Sequence, residues 1–193
     1  MSNGIKVKKR NGRGTEALDL EKMHKMVEEA TKGVAGVSAS QVEIQSGIQF
    51  YDGITTDEIQ EILIKSASDL IDLDHPNYQF VAARLLLFAI RKQIYGKMRD
   101  LPHLETHIMS CTNQDVYDKD IFTKYSKEEI DKVNGYIDHE RDFMFTYAGL
   151  RQVVDKYLVQ DRSSGGVYET PQFMYMMIAL TIFAEYPKEK RLN

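Results

Sequence analysis

The chain has 193 residues, 42% of them hydrophobic and 28% charged, a balance that is ordinary for a soluble globular protein with one or two domains. The net charge of −4 argues against a general nucleic-acid binder. The longest apolar run, 173–183, is too short to span a bilayer. The only cysteine, Cys111, excludes an internal disulfide, and no signal-like apolar segment follows Met1, so we expect a cytoplasmic protein.

The first predicted element is a β-hairpin. Ile5 and Val7 alternate with lysines, as in a half-buried strand, and Asn11-Gly12 provides residues suited to a tight turn. Four cations lie at this one tip, namely Lys8, Lys9, Arg10 and Arg13. A cationic hairpin beside a helix start suits a phosphate group, although a tip that is only solvated is the simpler alternative.

Four helices are predicted to follow the hairpin. The first begins at Asp19 as N-cap and runs to about Gly33, and the second begins at Ser38 or Ser40. Thr55 and Glu58 have the spacing of a capping box for the third helix, and the fourth runs from about Asn77 to Tyr95. The predicted packing positions are Leu20, Met23, Val27, Ala30 and Val34, then Val42, Ile44 and Ile48, then Ile59, Ile62, Leu63, Ala67, Leu70 and Ile71, and finally 85–90.

A boundary is predicted at 97–102, so that residues 1–97 and 98–193 form separate domains. Helices are expected at about 102–111, 126–137 and 142–156, and the second of these has a capping box at Ser126 and Glu129. Segments 157–160 and 167–169 flank a Gly-rich turn and predict a second hairpin. Pro171 opens a final helix rich in Met and aromatic residues, and His139, between carboxylates, is interpreted as part of a charged surface turn.

One pattern in the sequence has the spacing of metal ligands. His103, His107 and Cys111 are four residues apart and would share one face of a continuous helix. Three such donors can hold zinc with a fourth ligand, but no second Cys/His cluster supports them. We therefore predict no metal in this chain.

The chain resembles a known family over nearly its whole length. Residues 1–97 are similar to the ATP-cone, the regulatory nucleotide-binding module of many ribonucleotide reductases. The segments QVEIQSGIQFYDGITTDEI (41–59), PNYQFVAAR (76–84) and YLVQDRSSGGVYETPQF (157–173) resemble the large (alpha) subunit of the class I aerobic enzyme. The resemblance implies a mainly α fold with small β-hairpins. In it a hairpin caps a four-helix bundle (1–97), and an incomplete helical portion of the large subunit follows (98–193).

The resemblance also implies a site for ATP or dATP as allosteric effector. By this analogy Lys9, Arg10 and Lys92 meet the phosphates, Glu16 and Asp19 address base or sugar, Thr56 donates or accepts a hydrogen bond, and Phe88 provides apolar packing. Val7, Lys22 and Ile59 match further contact positions. From residue type alone, duller interpretations hold: Phe88 as core, Thr56 as a neighbour of the helix cap, and Lys92 as a solvated charge at a helix end.

The resemblance carries expectations about activity and partners. The family reduces ribonucleotides with a radical from a small (beta) subunit, and the chain matches only about the first quarter of the large subunit. No residue here is therefore expected to be catalytic, and the partners implied are the rest of the large subunit, the beta subunit and adenine nucleotides, with no nucleic acid and no membrane. The sequence has no Walker motif, so ATP hydrolysis is not expected.

Three departures and one alternative remain open. The hairpin is one residue longer at Arg13-Gly14 than the common pattern, Asp19 stands where Asn is frequent, and Gln60 stands where His is frequent. These changes leave the response to ATP versus dATP undetermined. The alternative function is a degenerate cone that serves only as a subunit-interaction module. A single cysteine argues against a repressor with a zinc ribbon.

Overall fold

A computed structural model describes residues 5–9 and 14–192. The predicted hairpin consists of β1 (Lys6–Lys8) and β2 (Thr15–Ala17), paired antiparallel. The predicted turn Asn11-Gly12 and the cations Arg10 and Arg13 lie outside the described residues. A third strand, β3 (Ile54–Thr55), pairs parallel to β1, so that the order is β2-β1-β3. The sequence did not predict β3, because two residues are too few to establish a period.

Helices α1 to α4 follow the predicted order. They are α1 (Leu20–Thr31), α2 (Ala39–Gly47), α3 (Thr56–Asp69) and α4 (Tyr78–Tyr95). The predicted caps are confirmed at Asp19 for α1 and at Thr55 with Glu58 for α3, while Ser38, not Ser40, caps α2. The fourth helix supplies much of the core, as predicted from its apolar run.

Four predicted packing positions are wrong. Leu20 is the first residue of α1 and is 60% exposed, because the buried stripe begins one turn later at Met23. Ile44 and Ile48 are 67% and 79% exposed, since α2 turns only Val42 and Ser46 inward. Ile71 lies beyond the end of α3 and is exposed.

The later helices are shorter and more numerous than predicted. They are α5 (Leu104–Asn113), α6 (Ile121–Lys124), α7 (Lys127–Asn134), α8 (Tyr147–Lys156), α9 (Pro171–Phe183) and α10 (Lys188–Arg191). The capping box of α7 and the proline at the start of α9 are confirmed. The core here consists of Leu104, Ile108, Ile121, Tyr125, Ile130, Val133, Phe173 and Leu180.

Three predictions about this half are corrected. The helix expected over 142–156 is a 3-10 helix, His139–Met144, followed by α8. The second hairpin is present only as one antiparallel bridge between Gln160 and Val167. In the intervening loop the Ser163 and Ser164 hydroxyls donate to the Asp161 carboxylate. The segment around His139 is not a surface turn: His139 is half-buried and Asp142 is 1% exposed.

By packing, the chain divides into two compact units. The first comprises the chain up to Ala89 together with Phe143–Arg151, and the second comprises Ile90–Asp142 together with the chain from Gln152 onwards. The predicted domain limits at 97/98 follow sequence resemblance rather than packing and stay a prediction. Within the described residues, no helix combines the length and the apolar character needed to cross a membrane.

Candidate functional site

The sheet of the first unit places several predicted residues around β1. Val7, at the centre of β1, is 3% exposed and lies opposite Glu16 on β2 and Ile54 on β3. The next residue, Lys8, pairs with Thr55, which immediately precedes α3. The end of β1 therefore lies between the acidic strand β2 on one side and the start of α3 on the other.

Lys9 follows β1 and forms an exposed ion pair. Its Nζ lies 2.7 Å from Oε2 of Glu16, and both side chains are a little under half exposed. An ion pair in this degree of contact with water contributes little stability. A ligand phosphate can therefore replace Glu16 as the partner of Lys9 at low cost.

Asp19 and Lys22 extend this charged cluster along the start of α1. The Asp19 carboxylate accepts the Lys22 backbone N–H at 3.0 Å and lies 3.1 Å from the Lys22 ammonium. The backbone bond and then the ammonium hold the pKa of Asp19 below its usual value. The pKa of Lys22 is raised by Asp19 first and also by Glu16. The four side chains thus form an exposed cluster of alternating charge that extends from β2 to the start of α1.

The start of α3 is fixed by a dense set of hydrogen bonds. The Glu58 carboxylate accepts the backbone N–H and the hydroxyl of Thr55, at 2.8 and 2.7 Å, and the Tyr51 hydroxyl at 2.7 Å. The Thr55 N–H, then the Tyr51 and Thr55 hydroxyls, lower the pKa of Glu58. The carboxylate is therefore ionised at neutral pH and holds the first turn of α3 in place.

Thr56 has unused hydrogen-bonding capacity at this point. Its Oγ1 atom is buried and has no hydrogen-bond partner among the described residues. Leaving a buried hydroxyl without a hydrogen bond costs free energy, so such groups are rare. The Thr56 hydroxyl is therefore a candidate contact for a ligand. Ile59, one turn further along α3, is 8% exposed and contributes to the apolar layer below.

The remaining predicted residues are less accessible or lie elsewhere. Phe88 is fully buried and packs edge-on against Phe143, with 5.8 Å between the ring centroids. This agrees with the interpretation of Phe88 as a core residue. Lys92 lies in the last turn of α4 and belongs to the second unit. Gln60, the departure from the common histidine, is 5% exposed and donates to the Leu85 carbonyl at 3.1 Å, so it serves the core.

Sequence reasoning missed the loop that supports this site. Asp52 accepts the Lys6 backbone N–H at 2.9 Å, and the Gly53 N–H donates to the Lys6 carbonyl at 2.8 Å. Gly53 has a φ of +85°, a conformation that favours glycine and directs the chain into β3. The sequence signal for this loop is Tyr51-Asp52-Gly53, because Asp and Gly both favour turns.

The two histidines of the pattern with metal-ligand spacing, His103 and His107, have other roles in the structure. His107 is 1% exposed, and its two ring nitrogens lie 3.2 and 3.1 Å from the hydroxyls of Tyr95 and Tyr117. His103 accepts the Glu105 backbone N–H at the start of α5. Among the described residues, the donor atoms that converge are those of His103, Glu105 and Asp131, of which His103 and Asp131 are exposed. His103, His107 and Cys111 therefore do not form one ligand set.

The second unit exposes a large apolar surface along α9. Its exposed apolar side chains include Tyr175, Ile178, Ile182, Phe183 and Tyr186. Beside them lies a groove of about 480 Å³ that is lined by α9, by Ile121 and Lys124 of α6, and by Tyr157 and Val159. A helix that is apolar on all sides is normally covered, so this surface has the character of an interface.

Two family models match the chain. The model described as "ATP cone domain" matches residues 5–93, and the one described as "Ribonucleotide reductase, all-alpha domain" matches residues 143–192. The first contains every predicted effector residue.

Curated relatives are similar over all or most of the chain. The "Ribonucleoside-diphosphate reductase subunit alpha" of Haemophilus influenzae and the "Ribonucleoside-diphosphate reductase 1 subunit alpha" of Escherichia coli are each 44% identical over 193 residues, 100% of this chain and 25% of the relative. The alpha subunit of Enterobacteria phage T4 is 40% identical over 178 residues, 91% of this chain and 23% of the relative. The chain thus spans about a quarter of the length of these relatives.

Proposed function

We propose that the chain is the N-terminal region of a ribonucleoside-diphosphate reductase alpha subunit, an ATP cone followed by part of the all-alpha domain. We propose further that it binds ATP or dATP as an allosteric effector. The observation that carries the proposal is an exposed charged cluster beside a buried hydroxyl, on elements that both pair with β1. The cluster is Lys9–Glu16–Asp19–Lys22, and the hydroxyl is that of Thr56, which has no hydrogen-bond partner within residues 5–9 and 14–192. Phosphates need cations, and base or sugar needs polar groups and apolar support.

The proposed contacts follow from these environments. Lys9, Lys22 and Lys92 take the phosphates, together with Arg10, which lies outside the described residues. Glu16 and Asp19, released from their lysines, accept hydrogen bonds from base or sugar. The Thr56 hydroxyl, which lacks a partner in the part of the chain that the structure describes, forms a hydrogen bond with the nucleotide. Val7, Ile59 and Phe88 are buried, and they support the site from below. The effector response is regulatory, since binding at one site shifts an equilibrium at another.

We propose further that the chain functions as part of a ribonucleotide reductase. In this role the effector controls reduction of ribonucleoside diphosphates, the radical comes from a separate beta subunit, and the catalytic residues lie outside this chain. The apolar surface of α9 is then covered by the remainder of the alpha subunit, on the same or a separate polypeptide. The single, buried Cys111 suits a reducing compartment such as the cytoplasm.

The test is calorimetric titration of the chain with ATP and with dATP. We expect saturable binding that weakens at least tenfold in Lys9→Ala/Lys22→Ala and about tenfold in Thr56→Val, the scale of one lost hydrogen bond to a ligand. Lys25→Ala is the matched control, because Lys25 is an exposed lysine of α1 that pairs with Glu21.

Thr56→Val also separates binding from folding. Removing an unpartnered hydroxyl leaves the stability of the unliganded chain unchanged or higher, whereas Thr55→Val removes the helix cap and costs about 1 kcal/mol. If a folded chain binds neither nucleotide, the degenerate cone, kept only for subunit interaction, is the correct function.

A further inference from the structure

A buried ion pair of the second unit involves Arg91, the residue of α4 that precedes Lys92, and Asp142 of the 3-10 helix. The side chains of Arg91 and Asp142 are 1% and 0% exposed, and their closest N and O atoms are 3.2 Å apart. Arg91 also donates to the carbonyls of His139, at 2.7 Å, and Met98, at 3.4 Å. The guanidinium therefore joins α4 to the 3-10 helix and to the segment after α4.

The same carboxylate reaches α9. The Gln172 side-chain amide, in the first turn of α9, donates to Oδ1 of Asp142 at 3.2 Å, while Oδ2 faces Arg91. Asp142 thus binds Arg91 of α4 through Oδ2 and Gln172 of α9 through Oδ1. Because both oxygens belong to one rigid carboxylate, a displacement of Arg91 also changes the hydrogen bond between Oδ1 and Gln172.

Burying an ion pair costs free energy, because both charged groups lose their hydration. Burial raises the pKa of Asp142 to about 6 although Arg91 opposes this, and burial is also the main cause that lowers the pKa of Arg91. Apolar residues of similar volume often stabilise a fold as well or better. What an ion pair adds is a defined geometry, because its hydrogen bonds tolerate little misalignment.

We propose that Arg91, Asp142 and Gln172 form a relay that transmits nucleotide binding at Lys92 to the start of α9. The relay rests on the proposed effector function and specifies how the site regulates. Phosphate binding at Lys92 shifts the last turns of α4, Arg91 moves with its neighbour, and Asp142 repositions Gln172. The output is the placement of the α9 surface that the rest of the alpha subunit covers. Arg91, Asp142 and Gln172 are positioning residues, and none contacts the nucleotide.

The test is hydrogen exchange of the whole chain with and without ATP, next to calorimetry on the same samples. In the natural chain we expect ATP to change the exchange rates of the amides of α9 from Met174 to Leu180. Gln172→Met keeps the length of the side chain and removes its amide, so ATP should still bind while the change in α9 disappears. Asp142→Asn should behave in the same way if it folds.

A neighbouring ion pair provides the matched control. Arg99 and Glu140 are 3.1 Å apart and both exposed, so Glu140→Gln removes a charge from the same 3-10 helix and leaves the hydrogen bonds among Arg91, Asp142 and Gln172 in place. This variant should keep the natural response of α9. The relay is refuted if ATP binds and α9 does not respond, or if Gln172→Met responds like the natural chain. Absence of ATP binding in calorimetry instead refutes the effector function, and the relay with it.

Discussion

At the scale of single residues, His107 shows how burial converts a candidate metal ligand into a structural group. Its ring stacks on Phe173 at 4.2 Å between centroids, and Tyr117 donates to Glu169. Nε2–H of His107 then donates to the Tyr117 oxygen. Burial disfavours the charged ring and lowers the pKa of His107, so at neutral pH Nδ1 is unprotonated and accepts the Tyr95 hydroxyl.

This environment predicts the pH dependence of stability. Burial lowers the pKa of His107 to about 4, against about 6.5 for an unfolded histidine. The contribution of His107 to the free energy of unfolding is therefore complete above pH 6.5 and is lost as the pH falls towards 4. The loss reaches about 3 kcal/mol for this group. His139, with its pKa lowered to about 4, also destabilises the folded chain as the pH falls. Asp142 has the opposite effect: its pKa is raised to about 6, so its protonation below pH 6 stabilises the folded chain.

We therefore expect His107→Gln to make the free energy of unfolding less dependent on pH between 6.5 and 4. The measurement is urea denaturation at several pH values. His75→Gln is the control, because His75 is exposed, pairs with the exposed Asp72 and contacts the Tyr78 ring at 6.4 Å between centroids. Equal pH slopes for His107→Gln and the natural chain would contradict the neutral, buried imidazole.

At the scale of elements, hydrogen bonds at helix starts explain why the predicted caps hold. Thr55–Glu58 and Ser126–Glu129 both form complete capping boxes. The second has an additional role, since Glu129 also accepts three hydrogen bonds from the Arg191 guanidinium of α10, one at 3.0 Å and two at 2.7 Å. Burial alone raises the pKa of Glu129, but Arg191 and the Ser126 amide outweigh it and lower the pKa. A short terminal helix is thereby fastened to α7.

Arg191→Lys tests this attachment. Lysine keeps the charge but cannot form the two-pronged bond, nor stack on Tyr125 as the guanidinium does at 4.2 Å from the ring centroid. We expect a loss of about 1–2 kcal/mol in the free energy of unfolding, measured by urea denaturation. Arg162→Lys, in an exposed loop, should leave stability within about 0.5 kcal/mol. A loss of similar size in both variants would show that arginine content, not this contact, matters.

At the scale of the whole molecule, the unusual feature is the uncovered face of α9. Ile182 is 62% exposed and Ile178 is 48% exposed, beside the apolar groove of the second unit. Large apolar side chains in water favour association with another surface. The face is continuous along the helix, which is how interfaces differ from scattered exposed residues.

We expect the isolated chain to self-associate through this face as its concentration rises. Ile182→Glu should reduce association in analytical ultracentrifugation while leaving the unfolding midpoint nearly unchanged, because the side chain is exposed. Leu73→Glu is the control, since Leu73 is completely exposed in the first unit. If Leu73→Glu reduces association equally, net charge and not the α9 face governs it.

The sequence by itself determined the helices with local start and stop signals. Asp19 and the pairs Thr55–Glu58 and Ser126–Glu129 satisfy backbone N–H groups within one turn. Pro171, at the first position of α9, has no N–H that needs a partner. The effect of these residues therefore depends on neighbours in sequence alone. The resemblance to reductase alpha subunits likewise rested on contiguous motifs. Of the candidate site, the sequence identified the residue types but not their pairing.

Only the tertiary structure decided the contacts between residues distant in the chain. The parallel pairing of β1 with β3 brings Lys8 next to Thr55, and the Arg91–Asp142–Gln172 bonds join residues 30 to 51 positions apart. The burial of His139 and Asp142 within a run of charges was equally invisible, because local polarity suggests exposure. Such contacts depend on how whole elements pack, and packing is a property of the folded chain that no local window of sequence contains.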